Sequence, residues 1–253
     1  MTDCNPVETP LDPNQRLTVE MCPTDDAERR EMKNIPYQEL TGSLLFLVQV
    51  SRPDICYAVS VLSRFNNNYG RCHWTAAKRV LRYLKGTINK KLIFTGNHED
   101  IKGFCDADWA SDVDERKSMS GYVFTMQGAA ISWSSKKQKT IALSSTEAEY
   151  MSLVSAVQEA IWLRRLEREL QNNYNKPTLI FCDNKSAIQL AKNGASSART
   201  KHIEIKEKFV EEKMENGIIE IKYPPTSQMK ADVLTKALDK TKQKIFTKAM
   251  GII

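Results

Sequence analysis

The stretch Phe104-Cys105-Asp106-Ala107-Asp108-Trp109 decides how this chain is read. It extends an apolar run from Ile101 and has the composition of a strand, Ile101 to Trp109, with a carboxylate in its interior. A charge inside an apolar strand is costly unless it is paired or holds a cation. If Cys105 faces a core, the two-residue period puts Asp106 and Asp108 together on the opposite face.

Toward the C-terminus the strand period continues. Tyr122–Met126 and Ala130–Trp133 flank Gln127-Gly128, a hairpin signal, and Thr140–Leu143 reads as another short strand. A long helix runs from Thr146 to about Leu170, with Ala148, Met151, Val154, Ala156, Val157 and Ile161 toward a core. Leu179–Cys182 is a buried strand and Ser186–Lys192 a short helix. Lys201–Glu215 is a further helix closed by Asn216-Gly217. Ile218–Tyr223 is a strand, and a last helix starts at Met229. The order βββ-α-β-α-α-β-α predicts an α/β fold, helices covering a mixed sheet.

Toward the N-terminus the pattern becomes helical. Leu40, Leu44, Leu45, Leu47 and Val48 recur at helical spacing. Pro53-Asp54 opens a second helix with Ile55, Val59, Leu62 and Phe65 on one face. The third helix, Trp74–Lys85, buries Ala77, Val80, Leu81 and Leu84. Residues 1–34 are polar, carry Pro6, Pro10, Pro13 and Pro23, and read as an extended leader. The chain thus divides into a leader (1–34), a helical segment (35–97) and an α/β domain (98–253).

Composition excludes several classes. Of 253 residues, 41% are hydrophobic and 27% charged, so global disorder is not expected. The longest apolar run, Leu44–Val48, is far too short to span a membrane, and the first residues show no secretory signal. Six cysteines without CxxC spacing and three histidines argue against structural zinc. The scattered thiols read as reduced and intracellular. A net charge of +6 is compatible with a polyanionic partner but does not require one.

Four acids stand out: Asp106, Glu149 in Ser144-Ser145-Thr146-Glu147-Ala148-Glu149, Asp183 after the buried strand, and Asp232 in Ala231-Asp232-Val233-Leu234-Thr235-Lys236. Taken singly, each has an ordinary explanation as a helix cap or surface carboxylate; Asp183 would cap well. Taken together, carboxylates without His or Cys select a hard cation, magnesium or manganese. Two such ions can support phosphodiester hydrolysis. Lys78, Arg79, Arg82 and Lys85 crowd the third helix, and no acid occurs between Trp74 and Lys91. A basic helix face is ordinarily just solvated; the missing acids point instead to phosphate-backbone contact.

The order and spacing of seven segments resemble the ribonuclease H domain of copia-type retrotransposon Pol polyproteins. They are Asp106-Ala107-Asp108-Trp109-Ala110, Asp114-Glu115-Arg116-Lys117-Ser118, Ser120-Gly121-Tyr122, Ser144 to Tyr150, Cys182-Asp183-Asn184, Thr200-Lys201-His202-Ile203 and Ala231 to Lys236. Upstream, Cys4-Asn5-Pro6-Val7, Leu44-Leu45-Phe46-Leu47, Arg52-Pro53-Asp54-Ile55 and Lys78 to Thr87 resemble the segment after the polymerase palm in the same polyproteins, a reverse-transcriptase thumb or connection. The resemblance implies a ribonuclease H-like fold, a mixed five-stranded sheet with flanking helices, behind a small all-helical segment. It implies hydrolysis of the RNA strand of an RNA–DNA hybrid, with Asp106, Glu149, Asp183 and Asp232 holding two Mg2+ ions, or Mn2+. Glu149 is preferred to Glu147, and Asp106 to Asp108. Arg116, Lys117, Ser118 and His202 become candidate substrate contacts.

The resemblance also implies a polymerase partner region, because no Tyr-x-Asp-Asp element is present. The chain therefore reads as a C-terminal part of Pol, or a truncated copy, that does not polymerise alone. The implied setting is cytoplasmic, in a virus-like particle, or nuclear. The alternative reading is a non-catalytic hybrid-binding remnant, or a subunit that needs the polymerase in trans. Two departures accompany the match: Glu207-Lys208-Phe209 where the family has Tyr-His-Phe, and Tyr223-Pro224-Pro225 where Tyr-Ile-Pro or Tyr-Val-Pro is usual. Pro224 has no N–H and shortens the last strand. No histidine precedes Asp232 in Tyr223–Gln228, where cellular ribonucleases H often carry one.

Overall fold

The alternation of apolar side chains along the strands builds two cores, one on each face of a single sheet. In a computed structural model describing all residues except 2, 97–98, 171–175, 194–200 and 226–227, the strands are β1 (Lys102–Asp108), β2 (Met119–Met126), β3 (Ala129–Lys137), β4 (Thr178–Cys182) and β5 (Ile219–Lys222). Their order is β3-β2-β1-β4-β5. The hairpin strands β1–β2–β3 are antiparallel, whereas β4 runs parallel to both β1 and β5. This is the mixed five-stranded sheet of a ribonuclease H-like fold. β5 ends at Lys222, just before Tyr223-Pro224, where the ladder loses a donor.

Cys105, Phe124, Ile180 and Cys182 face one core, which is closed by α5 (Ser145–Glu169), α6 (Lys185–Asn193) and α7 (Lys201–Glu215). Phe104, Val123 and Ala130 face the other. That second face is covered by the helical segment: α2 (Tyr37–Val50), a 3-10 turn (Pro53–Ile55) leading into α3 (Cys56–Ser63), and α4 (Arg71–Gly86). A 3-10 turn (Lys230–Leu234) and α8 (Lys240–Ala249) complete the layer. Tyr37, Leu44, Ile55, Leu62, Val80, Val123, Leu234 and Met250 all belong to this one core. Trp133 of β3 donates from Nε1 to the Val48 carbonyl at 2.9 Å, joining sheet to helix. Residues 35–97 and 98–253 therefore share a hydrophobic interior across the expected boundary.

Several expectations are corrected. Thr140–Leu143 is not a strand; it is the loop entering α5, where Ser144 caps the helix and Glu147 accepts from the Leu143 N–H at 2.8 Å. The chain from Met229 is not one helix. It forms the 3-10 turn, then a break, then α8, capped by Asp239. Trp109, expected to end the first strand, lies just past β1, half-exposed, and donates from Nε1 to the Ala142 carbonyl at 3.0 Å.

The leader is also more than extended chain. It contains a 3-10 turn (Val19–Met21) and α1 (Asp26–Met32), and it buries Thr9, Leu11, Cys22 and Met32. Its first residues lie along α4. No helix among the described residues is long and apolar enough to cross a membrane.

Candidate active site

The site forms where β4 stops. β4 ends at Cys182, paired with Cys105, so Asp106 projects one residue beyond the parallel pairing of β1 and β4. The carboxyl ends of adjacent parallel strands are the usual place for a ligand in such sheets. α5 reaches this end from one face and the 3-10 turn Lys230–Leu234 from the other. Ser152 fixes α5 there, donating to the carbonyls of Asp106 (2.7 Å) and Gly121 (3.1 Å). A Cβ on Gly121 would lie 2.8 Å from both Leu234 Cβ and Thr235 Cγ2. Only glycine in β2 therefore lets that turn approach β1.

Carboxylate oxygens of Asp106, Glu149 and Asp183 lie within 4.8 Å of one another. Asp106 and Glu149 are buried, at 2% and 7% exposure, and Asp183 is half-buried. Asn184, not Asp183, caps α6, accepting from the Ala187 N–H at 2.9 Å. Likewise Glu147 is spent on the cap of α5. The backbone amide of Ala107 offsets only a small part of the burial of the Glu149 carboxyl, whose buried Oε2 has no hydrogen-bond partner among the described residues.

Asp232 is 3% exposed and lies outside the group of three. Between the two aspartates stands Lys236. Its Nζ is 3.3 Å from Asp106 Oδ2 and 3.0 Å from Asp232 Oδ1. The Thr235 hydroxyl also donates to Asp106 Oδ2. Neither Thr235 nor Lys236 is among the site residues expected from the sequence, although both follow Asp232 in the same motif. The four-residue spacing from Asp232 to Lys236 was the available signal.

Crowded negative charge shows in the acids themselves. Burial, then the nearby Asp106, pushes the Glu149 carboxyl up to about 10 and that of Asp232 up to about 6. Asp183 rises for the same two reasons, and burial raises Asp108. Lys236, among these carboxylates, is held above its ordinary value despite its own desolvation. An all-oxygen donor set with an unpaired buried carboxylate oxygen fits a hard divalent cation.

The expected nucleic-acid contacts fare differently. Arg79 donates to Thr9 Oγ1 (3.0 Å), Arg82 to the Asn5 carbonyl (2.7 Å) and Lys85 to the Cys4 carbonyl (2.8 Å). Three basic side chains of the α4 stripe thus hydrogen-bond to the leader, while Lys85 stays exposed and Lys78 and Arg82 partly so. Lys78 leans on the Trp74 ring at 5.6 Å. Arg116 is exposed in the β1–β2 loop, and Lys117 pairs with Glu115. Ser118 is fully buried and accepts from the Ala110 N–H at 3.1 Å, so it has no face for a nucleic acid. His202 stands in α7, but its side chain lies outside the described residues. A cavity of about 120 Å³ adjoins the site, lined among others by Arg16, Arg64, Asp108, Ser111 and Lys236.

Sheet order and this carboxylate set define a ribonuclease H-like domain. No protein-family model matches the chain. All of it aligns with the retrovirus-related Pol polyprotein from transposon TNT 1-94 of Nicotiana tabacum, 42% identical over 252 residues, and with that from transposon RE1 of Arabidopsis thaliana, 37% identical over 255. The chain belongs to the retrovirus-related Pol polyproteins of copia-type retrotransposons. It spans 19% and 17% of the length of those two relatives. Among solved structures it is similar to LC11-RNase H1 in complex with RNA/DNA hybrid, with a TM-score of 0.40, 16% identity, and coverage of 54% of this chain and 94% of that one.

Proposed function

We propose that this domain hydrolyses the RNA strand of an RNA–DNA hybrid, with Asp106, Glu149, Asp183 and Asp232 holding Mg2+ or Mn2+. The observation that carries the reading is the convergence of Asp106, Glu149 and Asp183 at the carboxyl ends of β1 and β4. Divalent ions bound there supply an activated water and stabilise the leaving oxygen of a phosphodiester. The chain's own part is to keep the carboxylates converged. Ser152 locks α5 onto β1 and β2. Thr235 fixes the rotamer of Asp106. Burial excludes bulk water from Asp106 and Asp232, which strengthens their hold on a cation.

For the hybrid's backbone, the exposed Arg116, the cavity lined by Arg16, Arg64 and Lys236, and Lys78 of α4 are the basic groups offered as contacts. The polymerase region of the same polyprotein is the proposed partner, in a cytoplasmic particle or the nucleus. The test is cleavage of a labelled hybrid with Mg2+ and then Mn2+, beside Asp106→Asn. We expect RNA-strand cleavage that falls by at least about a hundredfold in the variant, as loss of a transition-state electrostatic partner does. Hybrid binding without cleavage in either metal would overturn the enzymatic reading in favour of a binding remnant.

A further inference from the structure

The carboxylates are not arranged evenly. Asp106 belongs to two groups at once. It joins Glu149 and Asp183, whose oxygens converge with its own within 4.8 Å. It is also tied to Asp232, because the Lys236 ammonium bridges the pair at 3.3 and 3.0 Å. Asp106 and Asp232 are nearly solvent-free, and Lys236 is about one-third exposed (36%) along its side chain. Two buried carboxylates facing each other need a cation between them. In this fold the chain supplies its own.

We propose that Lys236 occupies one of two cation positions, so that the site takes one divalent ion readily and a second only when Lys236 withdraws. This rests on the metal-dependent reading given above. The backbone at Lys236 is anchored, since its N–H and that of Thr235 both donate to the Asp232 carbonyl at 3.2 Å. The long side chain is therefore the part that moves. Room for it exists: Lys236 itself lines the cavity of about 120 Å³ beside the site. Asp108 and Ser111 in that cavity can receive an ammonium, and Asp108 already lies within electrostatic reach of Lys236. Lysine suits such a part better than arginine, being a compact point charge on a flexible stem. Arg16 and Arg64 in the same cavity set a limit, since their charge opposes full withdrawal.

The experiment is a Mn2+ titration of the full chain, read by loss of the free-ion resonance signal and by calorimetry, with no hybrid present. The wild type is expected to bind one Mn2+ ahead of a second. Lys236→Met is expected to fill the second position at a concentration about tenfold lower, the effect of removing one adjacent unit charge at high effective dielectric. Lys236→Arg, which keeps the charge, is expected to retain the two separated steps. In chelator, Lys236→Met should melt below the wild type, and Mn2+ should restore more of its stability than it adds to the wild type.

A second-ion midpoint that is unchanged or higher in Lys236→Met overturns the proposal and leaves Lys236 a positioning residue. Two ions filling at one midpoint in the wild type overturn it without any variant. A wild type that binds no Mn2+ overturns the metal reading as well, which separates the two failures.

Discussion

At the scale of the residue, Glu149 carries the clearest pH signature. Its carboxyl is pushed up to about 10 in the folded chain, mainly by burial, against an ordinary value near 4.5. Between those pH values the folded state holds a proton that the unfolded chain releases. Stability therefore falls as pH rises through that window, by up to about 1.4 kcal/mol per pH unit from this group. Glu149→Gln removes the liability. Without metal, its melting temperature should rise relative to wild type between pH 5 and 8, the gap widening steadily with pH. A constant gap in thermal melts would show that Glu149 is already ionised in the fold. Divalent ions act in the opposite sense, because they need the ionised carboxylate, so their affinity should grow with pH.

At the scale of the element, two contacts hold the site's geometry and the fate of the basic helix. The 3-10 turn Lys230–Leu234 reaches β1 only because residue 121 has no side chain. Gly121→Ala should cost about 1–3 kcal/mol, as overpacking does, and should also move Asp232 away from Asp106. Urea denaturation reads the first effect. Cleavage measured below the melting transition reads the second, with a loss larger than the stability change accounts for.

On α4, Arg82 is engaged by the Asn5 carbonyl and so is poorly placed to contribute a phosphate contact. Arg82→Gln is expected to leave the salt dependence of hybrid binding unchanged, whereas a phosphate-contacting arginine would reduce that slope by about one. The cost of the substitution should appear instead as looser attachment of the leader, measured by limited proteolysis near residues 4–12.

At the scale of the whole molecule, the helical segment is the second wall of the sheet. The buried Asp54 carboxylate accepts from Arg52 Nε and Nη2 (2.9 and 2.8 Å) and from the Tyr83 hydroxyl (2.7 Å). The Asp54 carbonyl accepts from Gln243 of α8 at 3.2 Å. This polar knot ties the 3-10 turn Pro53–Ile55, α4 and α8 under the same core as Phe104 and Val123. Residues 98–253 expressed alone would expose that apolar face. They should bind a hydrophobic dye and aggregate, while the full chain unfolds in one transition seen alike by tryptophan fluorescence and circular dichroism. Two separated transitions in the full chain would show independent domains.

The strand and helix identities around Asp106 were legible along the chain, because a two-residue apolar period and a 3.6-residue one are local properties. The ordered motifs also singled out four acids, three of which converge in the fold. Periodicity alone misplaced Thr140–Leu143, a short run in which Ala142 is buried but Ile141 and Leu143 are exposed, and whose Leu143 N–H is taken by Glu147 at the start of α5 instead of by a neighbouring strand. The rest came from long-range packing. Net charge on α4 is local, but whether an oxygen of the leader lies against it depends on contacts 70 to 81 residues apart. The grouping of Asp106 with Glu149 and Asp183, and its link through Lys236 to Asp232, likewise arises where β4 ends and two layers meet. Local periodicity writes the elements; long-range packing assigns each charge its partner.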